Sequence, residues 1–466
     1  MKLSKKQFKQ LTDNLNAEIT PFFSTEELNQ LAKESEFVKR EFSGKIDGEI
    51  FLNLIVFNHE NLKQQSLEDL ADILKDDGIE ITRQALHNRF NENAVKFLAS
   101  ALTKILQQQF ESNEVALLES KFKRVLIKDS VCFQIDESLA KYYRGSGGDG
   151  SEASIRIQFE YELLRGTITD LSINAFNEQD AKDSLATIEK TREGDLIIRD
   201  LAYMSIAVLK KIIGKYAFYL CRPNTGVKMY EKIKGEFVEI DFNKVTKNLK
   251  KNKLSVIEKS VYYGAVDKIK TRLIIHLLPE EQLAKRLRKA NKNAKKKGRK
   301  LSKEYKTRAA INLFITNTSI EKIPTEKVWS IYRLRWQIEL MFKIWKSICN
   351  IEKVKKVKKE RLECYIFSKL IFITLAWKMV WVIAKNLFRF SRNALSFYKA
   401  FKALFRRKMS CFQNALQSSK ETMLSFMLDF YDHSSTKYLL DKRLKELTSL
   451  EIIIACLNKN NGNITI

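Results

Sequence analysis

The stretch Ile331–Lys346, IYRLRWQIELMFKIWK, contains neither Gly nor Pro, and its apolar residues recur at steps of three and four. This spacing predicts one amphipathic helix. At about 100° per residue, four polar side chains fall on one face, away from the apolar set: Tyr332, Arg335, Glu339 and Lys346. Such a face can hold a metal ion beside a phosphate. The alternative is an exposed face with ordinary charge pairs.

The charge of the chain points to a polyanionic partner. Its 466 residues carry 83 Lys and Arg against 56 Asp and Glu, a formal net charge of +27. An excess of this size favours nucleic acid as the partner, with an anionic membrane surface as the second candidate. The length predicts roughly two to four domains.

The cysteines and the N-terminus predict an intracellular protein with reduced thiols. Six Cys are scattered without a CxxC pair, and four His give no zinc-ligand spacing. The N-terminal MKLSKKQFKQL lacks the apolar core of a signal peptide.

One apolar segment, Cys364–Phe388, is long enough to suggest a membrane span. Lys369, Lys378 and Lys385 interrupt it, and its longest uncharged run is shorter than the ~20 residues that a span needs. Charges at the centre of a bilayer are costly. The segment therefore predicts a buried core helix, and we expect no membrane association.

The N-terminal region, residues 1–118, has the capping and turn residues that bound short helices. Ser66 to Asp69 forms a capping box ahead of a helix that ends at Asp76-Asp77-Gly78, and a second helix begins near Thr82. Two helices joined by a Gly-containing turn outline a helix-turn-helix that reads DNA. Any small helical domain offers such a pair, so a structural role is the alternative. The side chains expected to be exposed are Arg83, Gln84, His87, Asn88 and Arg89.

The pattern changes to α/β at Lys123. Apolar runs predict strands at 124–133, 155–164, 167–176, 195–199 and 216–221, with helices near 179–189 and 205–215. A Gly-rich loop, Arg144–Gly148, separates the first two strands. This order predicts an α/β domain with a mixed sheet.

Residues 222–310 interrupt this domain with short β-like runs and then a basic block. The block, Lys285–Arg308, holds thirteen Lys or Arg and one acid, Glu304. A strand at 310–317 and the opening stretch follow, then a second basic patch at 353–359 and a helical region after residue 390. Both basic blocks predict contact with a DNA backbone, and the alternative for each is a solvated surface.

Two aspartates, Asp129 and Asp200, each follow an apolar strand run. Alone, each reads as a strand-end residue, but together with Glu339 they form a set of hard oxygen ligands suited to Mg²⁺. Two divalent ions held in this way activate an attacking oxygen and stabilise the leaving one in phosphoryl transfer. Arg335 is then suited to grip a phosphate with two donors, and Lys346 acts as a point charge.

The run Tyr332, Arg335, Glu339, Lys346 resembles the tyrosine-arginine-glutamate-lysine signature of DDE transposases of the insertion sequence 4 family. Other segments over residues 120–390 are similar to that family in the same order: Asp129-Ser130, Gly145–Gly148 with its hairpin, Ile198–Tyr203 and Asn312–Asn317 after the lysine-rich block.

The resemblance implies an RNase H-like mixed-sheet core with a β-rich insertion, flanked by helical N- and C-terminal regions. The implied segments are a DNA-binding domain at 1–118, core at 119–221, insertion at 222–310, core at 311–390 and a helical region at 391–466. Asp129, Asp200 and Glu339 are the implied catalytic and metal-binding triad. Mg²⁺ is the implied ion, with Mn²⁺ able to substitute. The implied DNA contacts are Tyr332, Arg335 and Lys346, and Arg299 and Lys300 in the basic block are further predicted contacts.

The function implied by the resemblance is cut-and-paste transposition: cleavage at transposon ends and strand transfer into target DNA. The implied partners are the double-stranded terminal inverted repeats, the target DNA and a second subunit in an active homodimer, in the bacterial cytoplasm at the nucleoid. Some members cut through a DNA hairpin with a Trp of the insertion stacked on a base. Residues 205–328 contain no Trp, so Tyr230, Phe237, Tyr262 or Tyr263 are the candidates to stack. The alternative function is a non-catalytic DNA-binding protein derived from a transposase.

Overall fold

The computed structural model describes residues 3–19, 23–39, 46–58, 65–111, 119–146, 152–178, 180–224, 226–441 and 448–459. Gly147 and Gly148 of the predicted loop and Gln179 of a predicted helix lie outside the described residues. The described chain mixes helices and strands, so the predicted α/β class is confirmed.

The α-helices are, in chain order, α1 (Lys5–Glu18), α2 (Thr25–Glu34), α3 (Gly48–Phe57), α4 (Leu67–Asp76), α5 (Arg83–Arg89), α6 (Glu92–Glu111), α7 (Asp180–Thr187), α8 (Ile206–Gly214), α9 (Phe242–Lys251), α10 (Glu280–Lys296), α11 (Lys303–Arg308), α12 (Val328–Arg333), α13 (Trp336–Ser347), α14 (Lys359–Ser391), α15 (Phe397–Arg407), α16 (Met409–Gln417), α17 (Lys420–Lys437) and α18 (Ser449–Leu457). The strands are β1 (Val125–Gln134), β2 (Ser154–Glu162), β3 (Thr167–Ala175), β4 (Leu196–Arg199), β5 (Phe218–Cys221), β6 (Met229–Ile233), β7 (Glu236–Glu239), β8 (Val256–Tyr263), β9 (Ile269–Leu277) and β10 (Ile311–Thr316).

The chain divides into two compact units, each built from separate stretches of sequence. The first unit comprises Met1–Leu117, Ser130–Asn177 and Gln337–Leu450, and the second comprises Leu118–Asp129, Glu178–Trp336 and Glu451–Ile466. One boundary falls within β1, and another directly follows Trp336. The five predicted functional segments do not coincide with these contact-based units and stay a prediction.

Helix α14 is the core of the first unit. It contacts α1, α3, α6, α15 and α17, and the rings of Trp377 and Trp381 meet Tyr161 of β2 edge to face. Among the described helices it alone is long and apolar enough to cross a membrane, yet 83% of its most apolar window is buried in the protein. The structure therefore agrees with the predicted core helix.

The predicted helix pair of the N-terminal region is present in the first unit as α4 and α5. Ser66 and Asp69 form the predicted capping box, which satisfies amide donors that a helix start leaves open. Arg83, Gln84 and Asn88 are exposed as predicted, whereas His87 and Arg89 are half-buried. Arg89 lies over the Phe37 ring, so it contributes to packing.

The second unit is organised on a sheet with the order β1-β4-β5-β10-β9-β8-β6-β7. Strands β1, β4 and β5 are parallel neighbours, and β10 runs antiparallel to β5. The predicted insertion strands, β6 to β9, continue this sheet through antiparallel pairs. The basic block that follows them is helical, forming α10 and α11.

The predicted single helix at 331–346 is wrong, because the chain forms two helices, α12 and α13, with a turn at Leu334 and Arg335. The amides of both turn residues bond to carbonyls three residues back, Ile331 and Tyr332, which is the tighter 3₁₀ pattern. Leu334 is fully buried. Apolar spacing cannot reveal such a break, since buried residues continue at the same steps on both sides of it.

Candidate active site

Asp129 and Asp200 lie at equivalent positions on two adjacent parallel strands. Lys128 of β1 is paired in register with Arg199 of β4, and each aspartate is the next residue. Neighbouring strands are about 4.8 Å apart, so the fold brings the two predicted carboxylates side by side, Asp129 within β1 and Asp200 directly after the end of β4. The apolar runs before them, Val125–Ile127 and Leu196–Ile198, are buried and fix the strands.

Arg335 binds Asp129 directly. Its Nη1 donates a 2.9 Å hydrogen bond to Asp129 Oδ2, and both side chains are largely buried, at 10% and 24% exposure. Arg335 itself lies in the turn between α12 and α13. Arg335, which was predicted to contact DNA, is therefore the counter-ion of Asp129, which was predicted to bind metal.

Tyr332 faces Asp200. Its hydroxyl lies 3.4 Å from Asp200 Oδ1, which also accepts a hydrogen bond from the Leu201 amide. Burial, and then the Asp200 charge, raise the pKa of the Tyr332 phenol far above its usual value, so the group stays a neutral donor. Within the described chain, Asp200 Oδ2 accepts no hydrogen bond, so this oxygen is available to a ligand.

Sequence reasoning missed a pair of arginines beside this site. Arg222 lies over the Tyr332 ring at 5.9 Å and donates to Asn312 Oδ1, and Arg286 of α10 donates to the same oxygen. Neither guanidinium has a carboxylate partner among the described residues. The signal was available for Arg222: it directly follows β5, the third parallel strand, at the same end as the two aspartates.

Glu339 and Lys346 belong to the first unit, on α13. Phe342 and Trp345 of this helix pack edge to face on Phe159 of β2, which leaves Glu339 exposed. Lys346 donates a 3.0 Å hydrogen bond to the Cys132 carbonyl of β1 and lies 3.6 Å from Glu352. Of the predicted site residues, one unit thus brings together Asp129, Asp200, Tyr332 and Arg335.

The basic block presents its charge on one face of α10. Its half-buried stripe includes Leu283, Arg286 and Leu287, and the remaining lysines and arginines face solvent. Arg299 and Lys300, the predicted DNA contacts, are exposed in the loop after α10 and directly follow Gly298 in the sequence. Their placement agrees with an electrostatic contact surface, although their role stays a prediction.

The aromatic candidates of the insertion divide into two groups. Tyr230, Phe237 and Tyr262 form an edge-to-face cluster on the outer strands, with Lys268 over the Phe237 ring at 4.9 Å. Tyr263 is buried and its hydroxyl accepts from the Asn224 amide. The prediction that Tyr263 is available to stack is therefore wrong, because alternation along β8 turns it into the core.

The predicted metal site is not assembled as a cluster: among the residues that the structure describes, no three His, Cys, Asp or Glu side chains are grouped to hold an ion. The two neighbouring aspartates still offer the hard oxygen donors that such ions prefer. The assignment of Glu339 to the same set remains a prediction from the sequence signature.

Comparison with known proteins agrees with this arrangement. A family model described as the transposase DDE domain matches residues 120–375. The transposase for insertion sequence element IS231F of Bacillus thuringiensis subsp. israelensis is 32% identical over 407 residues, covering 83% of each chain. The transposase for IS231E of B. thuringiensis subsp. finitimus is 32% identical over 88% of this chain and 87% of its own.

A further relative, the transposase for IS1151 of Clostridium perfringens, is 32% identical over 83% of this chain and 85% of its own. The matched region contains both aspartates and the whole Tyr332–Lys346 signature. With a domain match over half its length and relatives that align with most of it, this chain belongs to the family of DDE transposases of insertion sequences.

Proposed function

We propose that this chain is a cut-and-paste transposase of the insertion sequence 4 family, with an RNase H-like core. It cleaves the ends of its element and joins them to target DNA. The observation that carries the proposal is the placement of Asp129 and Asp200 one residue beyond the last register pair of β1 and β4, with Arg335 and Tyr332 bound to them. The parallel order β1-β4-β5 supports the core assignment.

Membership of the family implies dependence on a divalent metal ion. Asp129, Asp200 and Glu339 would hold it, and we propose Mg²⁺ with Mn²⁺ as a substitute, because carboxylate oxygens are the ligands that these ions take. Two such ions would activate the attacking oxygen and stabilise the leaving one. Asp200 Oδ2, which accepts no hydrogen bond from the residues that the structure describes, fits this role.

The remaining signature residues would bind the DNA strand. Tyr332 is held neutral and can donate to a phosphate oxygen, and Arg335 presents a guanidinium suited to bidentate contact. Lys346, Arg299 and Lys300 would add positive charge along the backbone. The partners are the terminal inverted repeats and target duplex, bound by a homodimer in the bacterial cytoplasm at the nucleoid.

Nicking of duplex that carries the flanking inverted repeats tests the assignment. Asp129→Asn, Asp200→Asn and Glu339→Gln should each abolish Mg²⁺-dependent cleavage while gel-shift binding persists. Glu326→Gln is a matched control, since Glu326 is an exposed acid near α12 and its loss should leave cleavage unchanged. Robust cleavage by one of the three variants would remove that residue from the triad.

The alternative is a non-catalytic DNA-binding protein derived from a transposase. The Arg335 counter-ion on Asp129 favours it, because that pairing competes with a metal ion. Binding of end-bearing DNA without nicking by the wild-type protein, and no measurable Mn²⁺ binding, would establish the alternative.

A further inference from the structure

Two buried cations directly precede the two aspartates of the candidate site. Lys128 of β1 and Arg199 of β4 are register partners, and they are 0% and 1% exposed. Central parallel strands are buried on both faces and usually carry aliphatic residues at such positions. A buried cation is costly unless it is paired and hydrogen-bonded. The two charges therefore point to a specific contact rather than to filling of the core.

That contact is one face of α7. Lys128 Nζ lies 2.7 Å from Asp183 Oδ2 and donates a 3.1 Å hydrogen bond to Thr187 Oγ1. Arg199 Nη1 donates a 2.5 Å hydrogen bond to Ser184 Oγ. The three partners lie within about one turn of helix, so a single helix face holds β1 and β4 at the same level.

The two cations act on the site through the backbone. Side chains alternate along a strand, so Lys128 and Asp129 point to opposite sides of the sheet. Asp200 directly follows Arg199 and keeps an extended backbone, with φ −74° and ψ 166°, so the same alternation applies there. The α7 contacts therefore fix the main chain of both strands from the side away from the carboxylates.

Helix α7 also supports the turn that follows Asp200. Arg199 is the last residue of β4, so Asp200 lies beyond the strand. The chain passes directly into a 3₁₀ turn, Leu201–Tyr203, which packs against α7. Asp200 Oδ1 caps this turn by accepting a 2.8 Å hydrogen bond from the Leu201 amide. The orientation of the Asp200 carboxylate is thus coupled to the position of α7.

We propose that Lys128 and Arg199 are positioning residues for the metal site. By binding α7, they fix the separation of the Asp129 and Asp200 carboxylates before an ion binds. Ligands must be held to within about 0.5 Å of the productive geometry, and loss of an outer contact commonly lowers metal affinity by about 10- to 100-fold. This inference rests on the proposed function, because it assumes that the two aspartates hold the ion.

The test is the affinity of the full-length, DNA-free protein for Mn²⁺, measured by titration calorimetry. The double variant Lys128→Met/Asp183→Leu removes the buried ion pair as a unit, and such replacements are often neutral for stability. It should lower the Mn²⁺ affinity by about tenfold. Ser184→Ala is a smaller change that removes the Arg199 acceptor, so it tests the second contact even if the double variant does not fold. It should lower the affinity by about threefold.

A second measurement needs no metal. In EDTA, hydrogen–deuterium exchange with mass spectrometry follows the amides of Tyr203 and Met204, which donate to the carbonyls of Asp200 and Leu201. These amides should exchange about threefold faster or more in both variants, because the turn is held less firmly against α7. Exchange at the wild-type rate would overturn the anchoring.

Two controls separate positioning from general destabilisation. Glu189→Gln alters an exposed acid directly after α7 that pairs with Lys211 and Lys215. Leu249→Ala removes a buried side chain of α9 in the same unit, which should lower stability. Both controls should keep the wild-type Mn²⁺ affinity.

The outcomes separate this inference from the proposed function. Wild-type Mn²⁺ affinity in Lys128→Met/Asp183→Leu would overturn the positioning role, as would an equal loss of affinity in Leu249→Ala. If the wild type binds no Mn²⁺, the proposed metal site fails, and the positioning role fails with it even where exchange shows that α7 holds the turn.

Discussion

The Arg335 guanidinium lies 2.9 Å from the Asp129 carboxylate. One side chain of the family signature therefore occupies an oxygen of the proposed metal set. A phosphate that draws Arg335 away would release Asp129 for a metal ion. Binding of DNA and binding of metal would then favour each other, as linkage requires of two coupled sites.

The first prediction follows from this competition. Arg335→Gln removes the counter-ion, so Mn²⁺ should bind the DNA-free protein about tenfold more tightly, given the usual strength of a charged hydrogen bond. Titration calorimetry measures this affinity. Nicking should fall in the same variant because the phosphate contact is lost. Arg335→Lys keeps the charge and should retain weak Mn²⁺ binding, whereas equal affinity in all three proteins would contradict the competition.

Tyr332 carries the second prediction. Its pKa is raised, by burial first and then by the Asp200 charge, so the phenol stays protonated at neutral and mildly alkaline pH. Tyr332→Phe should lower the nicking rate by about tenfold through loss of one donor, without changing the shape of the pH–rate profile. A new or missing alkaline limb in the variant would show that the phenol ionises, against this assignment.

Local sequence patterns predicted much of the site because strands are local features. The apolar runs before Asp129 and Asp200 placed one carboxylate on a strand and the other directly after one, and the register of β1 and β4 brings them together. The α4 capping box and the two strands at 155–164 and 167–176 were similarly visible. Each of these depends on a few consecutive residues.

The features that were missed depend on distant contacts. The turn at Leu334 and Arg335 keeps the apolar spacing of a helix, and the Asp129 contact that accompanies it lies about two hundred residues away. The local sequence does not show that Tyr263 is buried, because its burial depends on the strands that pair with β8. The contact of Lys355 with Gln65 has no local signal in either segment.

The third prediction concerns the loop that leads into α12. Arg272 binds Glu258 through two 2.7 Å hydrogen bonds and donates to the carbonyls of Thr318, Ser319 and Ile323. Glu258 also accepts a hydrogen bond from Thr325, three residues before α12. Glu258→Gln should therefore lower the free energy of unfolding by about 2 kcal/mol. It should also lower the nicking rate, because the loop before α12 would be held less firmly and α12 carries Tyr332.

The pH dependence of that difference has a definite sign. The Arg272 hydrogen bonds hold the pKa of Glu258 below its ordinary 4.5, so its stabilisation is full above that value and is lost as pH falls through the folded pKa. Chemical denaturation should show the gap between wild type and Glu258→Gln shrinking in acid. Glu239→Gln, from an exposed pair with Lys228, should change stability by no more than about 1 kcal/mol.

The last prediction tests the core around α14 with two glycines of the same unit. Gly166 and Gly78 both have positive φ, +75° and +82°, so alanine at either one incurs about 1–2 kcal/mol of backbone strain. A Cβ at Gly166 would also lie 2.2 Å from the Trp381 ring, whereas a Cβ at Gly78 meets nothing within 4 Å. Trp381 is itself held by Tyr161 and Phe397, so it cannot move aside without repacking. Gly166→Ala should thus destabilise the protein by about 2 kcal/mol more than Gly78→Ala, in the range of other overpacked cores. Urea denaturation of both variants measures the difference, and equal losses would mean that the β2–β3 turn does not pack on α14.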